Sequence, residues 1–426
     1  METEEKYNSR FLFCGLLIYT AIYYSQIAGR YPVLAPFRVE FIVGSILLVV
    51  IGIKVVEREL LYSENKVSHA AFIFFVYCGL TIPFSYVISR ALEQYIQFFK
   101  FFTIYLMIIS CINSEKRLNI FFYVYLSMIA LLFVEPFFLS LQGKGFRYAN
   151  YMMRLYGVTG FFEHPNQLGG ITAANLPFFY YMVYYQKTYI MKTVFISLII
   201  IGVWVVMLTQ SRTAFIGVIV FVFFAWLMSK HKALLIVLII ASFLIMYPFI
   251  PDQTKSRFLT LGKTSEIIGA EESEFAGDHE IGSMNSRWIL LKRSLKIFGE
   301  NPVMGVGMDC YPSVSGRRWN SWILTHNLYT QALAELGLIG MAIFAYLLYR
   351  IFINIKESEL IMLSNNDRSI VFYVNAALYM FLMIRLVIGL FGHDLYRNWW
   401  WVAAGLSVVS LRVLRLKYPN SAKVIF

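Results

Sequence analysis

Charged residues are scarce in this sequence. They make up 15% of its 426 residues, whereas 59% are hydrophobic and 18% aromatic, and soluble domains average about 25% charged residues. The shortage of charge excludes an ordinary water-soluble protein. Cysteine is rare as well. Cys14, Cys78 and Cys111 lie in apolar runs and Cys310 stands apart from them, so we expect no disulfide framework.

Motifs for nucleotide and metal chemistry are missing too. The chain has no Walker loop, no dinucleotide-binding glycine fingerprint, no Gly-x-Ser-x-Gly elbow and no His-Glu-x-x-His pattern. We therefore expect neither a metal site nor a cofactor. The net charge of +12 does not indicate nucleic-acid binding, because the basic residues lie between apolar runs, as cytoplasmic anchors of membrane helices do.

In place of charge the chain has apolar runs of about 20 residues, the length that crosses a bilayer as a helix. A membrane β-barrel would instead alternate polar and apolar residues over about 10 positions. The sequence thus predicts an all-α polytopic membrane protein, with the first run retained as a helix rather than cleaved as a signal peptide. About twelve spans are expected, near 11–29, 38–56, 67–88, 92–112, 118–140, 165–185, 190–209, 212–228, 232–250, 327–350, 369–391 and 396–413.

One long polar segment, residues 251–325, interrupts these runs. It divides the chain into nine expected spans over 1–250, an extramembrane loop, and three spans over 326–426. Within the loop, residues 285–299 have the pattern of an amphipathic helix, with Trp288, Leu291, Leu295 and Phe298 on one face. Gly305 and Gly307 follow it and predict a flexible turn.

The orientation follows from the short connections between spans. One set of connections holds eighteen Lys and Arg residues and the other holds eight, so the first set and both termini are expected on the cytoplasmic side. The long loop is then expected on the outer, non-cytoplasmic side of the membrane. Four of the six histidines share that side, namely His164, His279, His326 and His393.

Three basic residues at this outer face are candidates for chemistry. His326 lies at the edge of a span, where an imidazole can take a proton from a hydroxyl group, or simply cap the helix. Arg212 stands between two closely spaced spans and can grip a phosphate, or serve as a snorkelling anchor. Arg287 opens the loop helix, where backbone N–H groups favour an anion, although its position alone favours a solvated role.

The segment Glu163-His164-Pro165-Asn166-Gln167 begins the sixth expected span. Asn166 is expected to cap that helix. His164 can act as a ligand or a base, but it can also be a packed interfacial histidine.

Four charged residues fall inside expected spans: Lys100, Glu135, Glu335 and Arg385. Ionisable groups at such depth are costly and usually face the interior of a helix bundle. Glu335 and Arg385 lie in the outer halves of consecutive spans. We therefore expect these two side chains to form an ion pair.

Several short motifs follow one another between about residues 155 and 340. They are Gly-Phe-Phe-Glu-His-Pro-Asn at 160–166, Gln-Ser-Arg-Thr-Ala at 210–214, Asn-Ser-Arg-Trp at 285–288, Asn-Pro-Val-Met-Gly-Val-Gly at 301–307, His-Asn-Leu at 326–328 and Glu-Leu-Gly at 335–337. In this order, the motifs resemble the bacterial O-antigen ligase and O-antigen polymerase family.

The resemblance implies a metal-independent glycosyltransferase of the GT-C type, acting at the periplasmic face of the inner membrane on glycans carried by undecaprenyl diphosphate. It implies catalytic roles for His326 and Arg287 and binding of the lipid-linked donor by Arg212. His164 and Asn166 are further candidates for binding the lipid diphosphate or the glycan.

The leading expectation is an inverting O-antigen ligase whose acceptor is lipid A-core. A polymerase that joins repeat units onto a growing glycan is the alternative. A solute transporter is the alternative from another class, and a non-catalytic scaffold for glycan export is a third. The expected partners are the lipid-linked glycan, its acceptor and membrane lipids, with no nucleic acid.

Overall fold

A computed structural model of the chain describes residues 10–56, 65–149, 152–229, 232–233 and 283–420. Within these ranges the protein is a helical bundle with one small hairpin. The helices are α1 (Arg10–Ser25), α2 (Ile27–Arg30), α3 (Val39–Val56), α4 (Lys66–Leu80), α5 (Ile88–Cys111), α6 (Glu115–Leu141), α7 (Pro165–Tyr185), α8 (Tyr189–Thr209), α9 (Arg212–Met228), α10 (Ser283–Glu300), α11 (Tyr311–Trp319), α12 (Leu328–Ser364), α13 (Ile370–Gly389) and α14 (Asn398–Lys417).

Eight helical segments in the described ranges are long and apolar enough to cross a membrane, and α1 and α9 are shorter apolar helices. The prediction of a helical, polytopic membrane protein is therefore confirmed. The count of twelve spans stays a prediction, because most of the expected span 232–250 lies outside the described residues. For the same reason the division at residues 250 and 325 stays a prediction.

Helix α7 lies at the centre of one half of the bundle, where it packs against α6, α8, α9 and α13. Most of its residues are buried, so the helix has little contact with lipid and can carry polar groups. Asn175, for example, accepts a hydrogen bond of 2.8 Å from the Tyr125 hydroxyl. Helix α7 is not among the eight segments apolar enough to cross a membrane by themselves, and its burial explains how it can contain Asn, Gln and Thr.

The helices share two ends. At one of them, called the His326 end here, α7, α9 and α12 begin, and α8 and α13 finish. At the opposite end, Lys417 Nζ lies 3.2 Å from Glu115 and 2.9 Å from Asp367, which joins α14, α6 and the α12–α13 connection. Within the described residues, the two ends differ in their histidines: His164, His326 and His393 lie close together at the His326 end.

A β-hairpin at the His326 end departs from the expected all-α fold. Strands β1 (Phe146–Ala149) and β2 (Met152–Leu155) pair antiparallel, with Phe146 opposite Leu155. Arg154 on β2 is 4% exposed, and it fixes the hairpin to the bundle. Its Nε donates to the Thr209 carbonyl at 2.9 Å.

Helix α10 confirms the helix expected at 285–299, although a different face is buried. Leu290, Arg293, Ser294 and Ile297 are buried, and α10 packs on α12. Trp288 and Leu295, from the expected apolar face, are exposed. The nine-residue helix α11 that follows was not expected.

Helix α12 is broken at Gly337, whose φ of 68° and ψ of −170° interrupt the helical backbone. The break leaves backbone groups without helical partners, and the segment 302–307 supplies new ones. Val306 N donates to Ala334 O at 2.9 Å and Gly307 N to Glu335 O at 2.9 Å. From the other side of the break, Leu338 N donates to Pro302 O at 2.8 Å.

A fourth bond completes this arrangement, which we call the helix splice. The Tyr77 hydroxyl of α4 donates to Leu336 O at 2.7 Å. The splice separates a short piece of α12, residues 328–336, from the rest of the helix. His326 lies two residues before this short piece, next to the cap residue Asn327. Gly305 and Gly307 are therefore not a flexible turn, as expected from sequence, but part of a packed contact.

Replacing Gly305 by alanine should lower the free energy of unfolding by about 3 kcal/mol. Its φ is +69°, and an added Cβ would lie 2.4 Å from the carbonyl carbon of Glu335, so the splice would have to open. The thermal unfolding midpoint of the purified protein in detergent measures the change. Gly299→Ala is the matched control, because nothing lies within 4 Å of its added Cβ. Equal midpoints for the two variants would contradict the splice.

Candidate active site

His326 lies in the connection between α11 and α12 and has a left-handed backbone, with φ of 51°. Such a conformation is uncommon for a residue with a Cβ, and histidine adopts it more readily than most residues do. Asn327, not His326, caps α12, since its Oδ1 accepts from Thr330 N at 2.9 Å. Asn327 Nδ2 also donates to Leu390 O at 3.0 Å. The imidazole is thus left out of the cap and lies beside the α13–α14 connection.

His393 in that connection lies against His326. The two ring centroids are 5.3 Å apart and the ring planes meet at 76°. Sequence reasoning placed His393 at the outer face but did not select it. Its position in a short connection between two spans was the available signal. The Asn327–Leu390 bond joins the same two parts of the chain.

Arg287 approaches the same place from α10. Its guanidinium carbon lies 5.7 Å from the centroid of the Phe391 ring, and the side chain is half-buried. Burial lowers the pKa of Arg287, and the nearby charge of Arg212 lowers it further. The two positively charged guanidinium groups therefore repel each other. An anion bound near both of them would offset this repulsion.

The pKa of His326 is lowered to about 4, first by burial, then by the charges of Arg287 and His164. His393 also has a pKa well below its ordinary value, because of burial and the charge of Arg397. Both imidazoles are consequently neutral near pH 7. A neutral imidazole next to Arg287 and Arg212 can accept a proton, and it does not compete with the two arginines for an anion.

The residues around His164 differ from the expectation in one respect. His164, not Asn166, is the N-cap of α7, because its Nδ1 accepts from the Asn166 backbone N–H at 3.2 Å. The Asn166 Oδ1 instead accepts from Arg154 Nη2 at 2.7 Å. Arg154 was counted among the outer basic residues but not chosen. It connects the start of α7 to the end of α8.

The expected ion pair between Glu335 and Arg385 is absent. Glu335 accepts from Gln331 Nε2 at 3.2 Å and from the Tyr311 backbone N–H at 3.4 Å. Arg385 lies 3.8 Å from the Asp394 carboxylate, and its guanidinium carbon is 3.8 Å from the Trp399 ring centroid. The two charges share a depth but face different neighbours, which sequence position alone does not distinguish.

The other two charges inside expected spans lie away from His326. Glu135 of α6 accepts from Arg30 Nη1 at 2.6 Å, and Lys100 lies near enough to Glu40 of α3 to interact with its charge. Among the described residues, no three His, Cys, Asp or Glu side chains are grouped as ligands for a metal ion.

A family model described as O-antigen ligase matches residues 196–345. The match covers about a third of the chain, and over these residues the chain is similar to the O-antigen ligase family. The family resemblance inferred from the motifs is therefore confirmed. The matched region contains Arg212, Arg287 and His326, and all of the helix splice except Tyr77. His164, Asn166 and His393 lie outside the match, and a comparison with curated proteins gives no match.

Proposed function

We propose that this chain is a GT-C-type glycosyltransferase that moves a glycan from undecaprenyl diphosphate to an acceptor hydroxyl group, most simply as an O-antigen ligase with lipid A-core as acceptor. The observation that supports it best is the arrangement at the His326 end. A neutral, largely buried imidazole lies within electrostatic reach of Arg287, which in turn lies close to Arg212. By the bias of basic residues in the connections, this end faces the periplasm of the inner membrane.

The proposed reaction uses each group for one task. The acceptor oxygen attacks the anomeric carbon while the bond from that carbon to the diphosphate oxygen breaks, so the configuration inverts. His326 accepts the hydroxyl proton as the new bond forms. The departing lipid diphosphate gains one negative charge, which Arg287 and Arg212 hold in a site that is mostly shielded from water.

Donor binding should also raise the pKa of His326, the proposed base. An imidazole with a pKa near 4 is a weak proton acceptor. A diphosphate beside Arg287 would offset the positive charge that lowers the pKa of His326. The bound donor would thus move this pKa back toward neutrality, and the base would become stronger only when the donor is in place.

The pH dependence should show this tuning. His326 must be neutral to accept a proton, so activity is present above its pKa and is lost as the pH falls through it. The acid limb of kcat/KM for the donor, which reports the free enzyme, should lie below about pH 5. The acid limb of kcat, which reports the donor complex, should lie at higher pH. Initial rates from pH 4 to pH 8 measure both limbs.

Arg287→Gln provides a control for the pH profile, because removing this charge should move the acid limb of kcat/KM upward. Identical limbs for kcat and kcat/KM near pH 6.5 would contradict the assignment of His326 as a base tuned by the donor. A limb that does not respond to Arg287→Gln would contradict the electrostatic cause.

The experiment that tests the function is reconstitution of the purified chain with an undecaprenyl-diphosphate-linked glycan. Lipid A-core and unlinked repeat units are offered together, and products are separated by gel electrophoresis. A glycan on lipid A-core supports the ligase, and a lengthened lipid-linked glycan supports the polymerase. If the glycan were transferred to neither acceptor, the proposal would be wrong. A parallel reaction with EDTA tests the proposed independence from metal ions.

A solute transporter, the alternative from another class, would need charges available to a pathway through the membrane. Glu135 and Arg385 instead contact Arg30 and Asp394. A non-catalytic scaffold would give no transfer in the reconstitution.

A further inference from the structure

A second polar region lies at the His326 end, away from the two arginines. It is a cavity of about 670 Å³ between the first turns of α5 and the loop before α11. All but one of its lining residues are polar. They are Ser89, Arg90, Glu93, Gln94, Ile96, Gln97 and Asp309.

Polar side chains are unexpected at this place, because α5 is one of the candidate membrane spans. Arg90, Glu93, Gln94 and Gln97 recur at helical spacing and therefore share one face of α5. Glu93 and Gln97 are exposed within the described part of the chain. Glutamate and glutamine facing hydrocarbon are costly and usually have a function.

The cavity has a fixed wall on its loop side. Arg90 Nε donates to Asp309 Oδ2 at 2.9 Å, which joins α5 to the loop. Asp309 also has a left-handed backbone, with φ of 52°. Burial raises the pKa of Asp309, while the charges of Arg90 and Arg397 act in the opposite direction. This pair holds the loop and the helix at a set distance and so maintains the shape of the cavity.

Arg397 relates the cavity to the candidate active site. It lies near enough to interact with the charge of Asp309 on one side and with His393 on the other. His393 in turn packs against His326, with 5.3 Å between ring centroids. The cavity is therefore related to the His326 imidazole through Arg397 and His393. The two arginines of the donor site are related to it through Arg287.

We propose that this cavity binds the sugar hydroxyl groups of the acceptor glycan, an assignment that rests on the proposed function. Amide and carboxylate groups donate to and accept from neighbouring hydroxyl groups, and the cavity lies within the usual size of small-molecule sites, about 300–1,000 Å³. Its charges are mixed, since Arg90 is balanced by Glu93 and Asp309. A diphosphate suits the uniformly cationic Arg212–Arg287 region, and neutral hydroxyl groups suit this one.

The test compares acceptor and donor kinetics in purified full-length variants. Glu93→Ala and Gln97→Ala, both at exposed positions, should each raise KM for lipid A-core about tenfold. The KM for the lipid-linked donor and kcat should stay within about twofold. Leu92→Ala is the matched control, because Leu92 is exposed on the same helix but does not line the cavity.

Two kinetic outcomes would overturn the proposal. One is an unchanged acceptor KM, and the other is a raised donor KM, which would assign the cavity to the donor sugar. A binding measurement without donor separates this proposal from the proposed function. Core oligosaccharide released from lipid A-core by mild acid should bind Gln97→Ala about tenfold more weakly than the wild type. That result supports the cavity even if no transfer is detected, and equal binding overturns it.

Discussion

Replacing His326 by alanine should lower kcat for glycan transfer by about 100-fold to 10,000-fold, the usual contribution of a positioned general base. The imidazole is the only group proposed to take the acceptor proton, and it makes no cap bond whose loss would unfold α12. Transfer rates with purified donor and acceptor measure the effect. Thermal unfolding of the same preparation shows whether the fold is kept.

His69→Ala is the matched control, because His69 is an exposed histidine on α4 at the opposite end of the bundle. It should keep the full rate. His326→Gln, which keeps a hydrogen-bonding side chain but has no basic nitrogen, should be as slow as the alanine variant. If His326→Ala transferred glycan within threefold of the wild type at equal protein level, the general-base role would be wrong.

Replacing Arg287 by alanine should lower kcat by about 100-fold to 1,000-fold, as expected for loss of a group that stabilises charge in the transition state. The departing diphosphate gains its charge beside this guanidinium. Arg287→Lys should recover part of the rate, because it keeps the charge but loses the two-pronged geometry. Rates are compared at about pH 7.5, where His326 is neutral whether or not Arg287 is present.

Arg318→Ala serves as the control for this variant. Arg318 pairs with Glu300 at the surface, where the two side chains are 38% and 40% exposed, so its loss should change neither rate nor stability appreciably. A higher donor KM with unchanged kcat in Arg287→Ala would mean that the arginine binds the donor but does not help the leaving group depart.

Most of the membrane helices could be predicted from the sequence, because the length of an apolar run is a local property of the chain. The expected spans 118–140 and 190–209 correspond to Glu115–Leu141 and Tyr189–Thr209, and the loop helix expected at 285–299 is Ser283–Glu300. The break in α12 was not foreseen. Glu-Leu-Gly at 335–337 lies in a run that reads as one helix, and the partners that stabilise the break come from residues 302–307 and Tyr77.

The candidate site could be foreseen only in part. Position in the sequence was enough to select Arg212, Arg287 and His326, because each lies near the start of a helix at the His326 end. His393 and Arg154 depend on contacts between separate connections, which spacing along the chain does not encode. The pairing of Glu335 with Arg385 failed for a related reason, since depth in the membrane does not fix which way a side chain points around its helix.

The left-handed backbone at His326 has a consequence for the way substitutions rank there. Asparagine and glycine tolerate this conformation, whereas valine and isoleucine would be strained by it, by about 1–2 kcal/mol. Position 326 should therefore accept a small amide more readily than a branched aliphatic residue of similar volume. Glycine, which has no Cβ, should relax the main chain at this position but would remove the imidazole, so a variant stabilised in this way should be inactive.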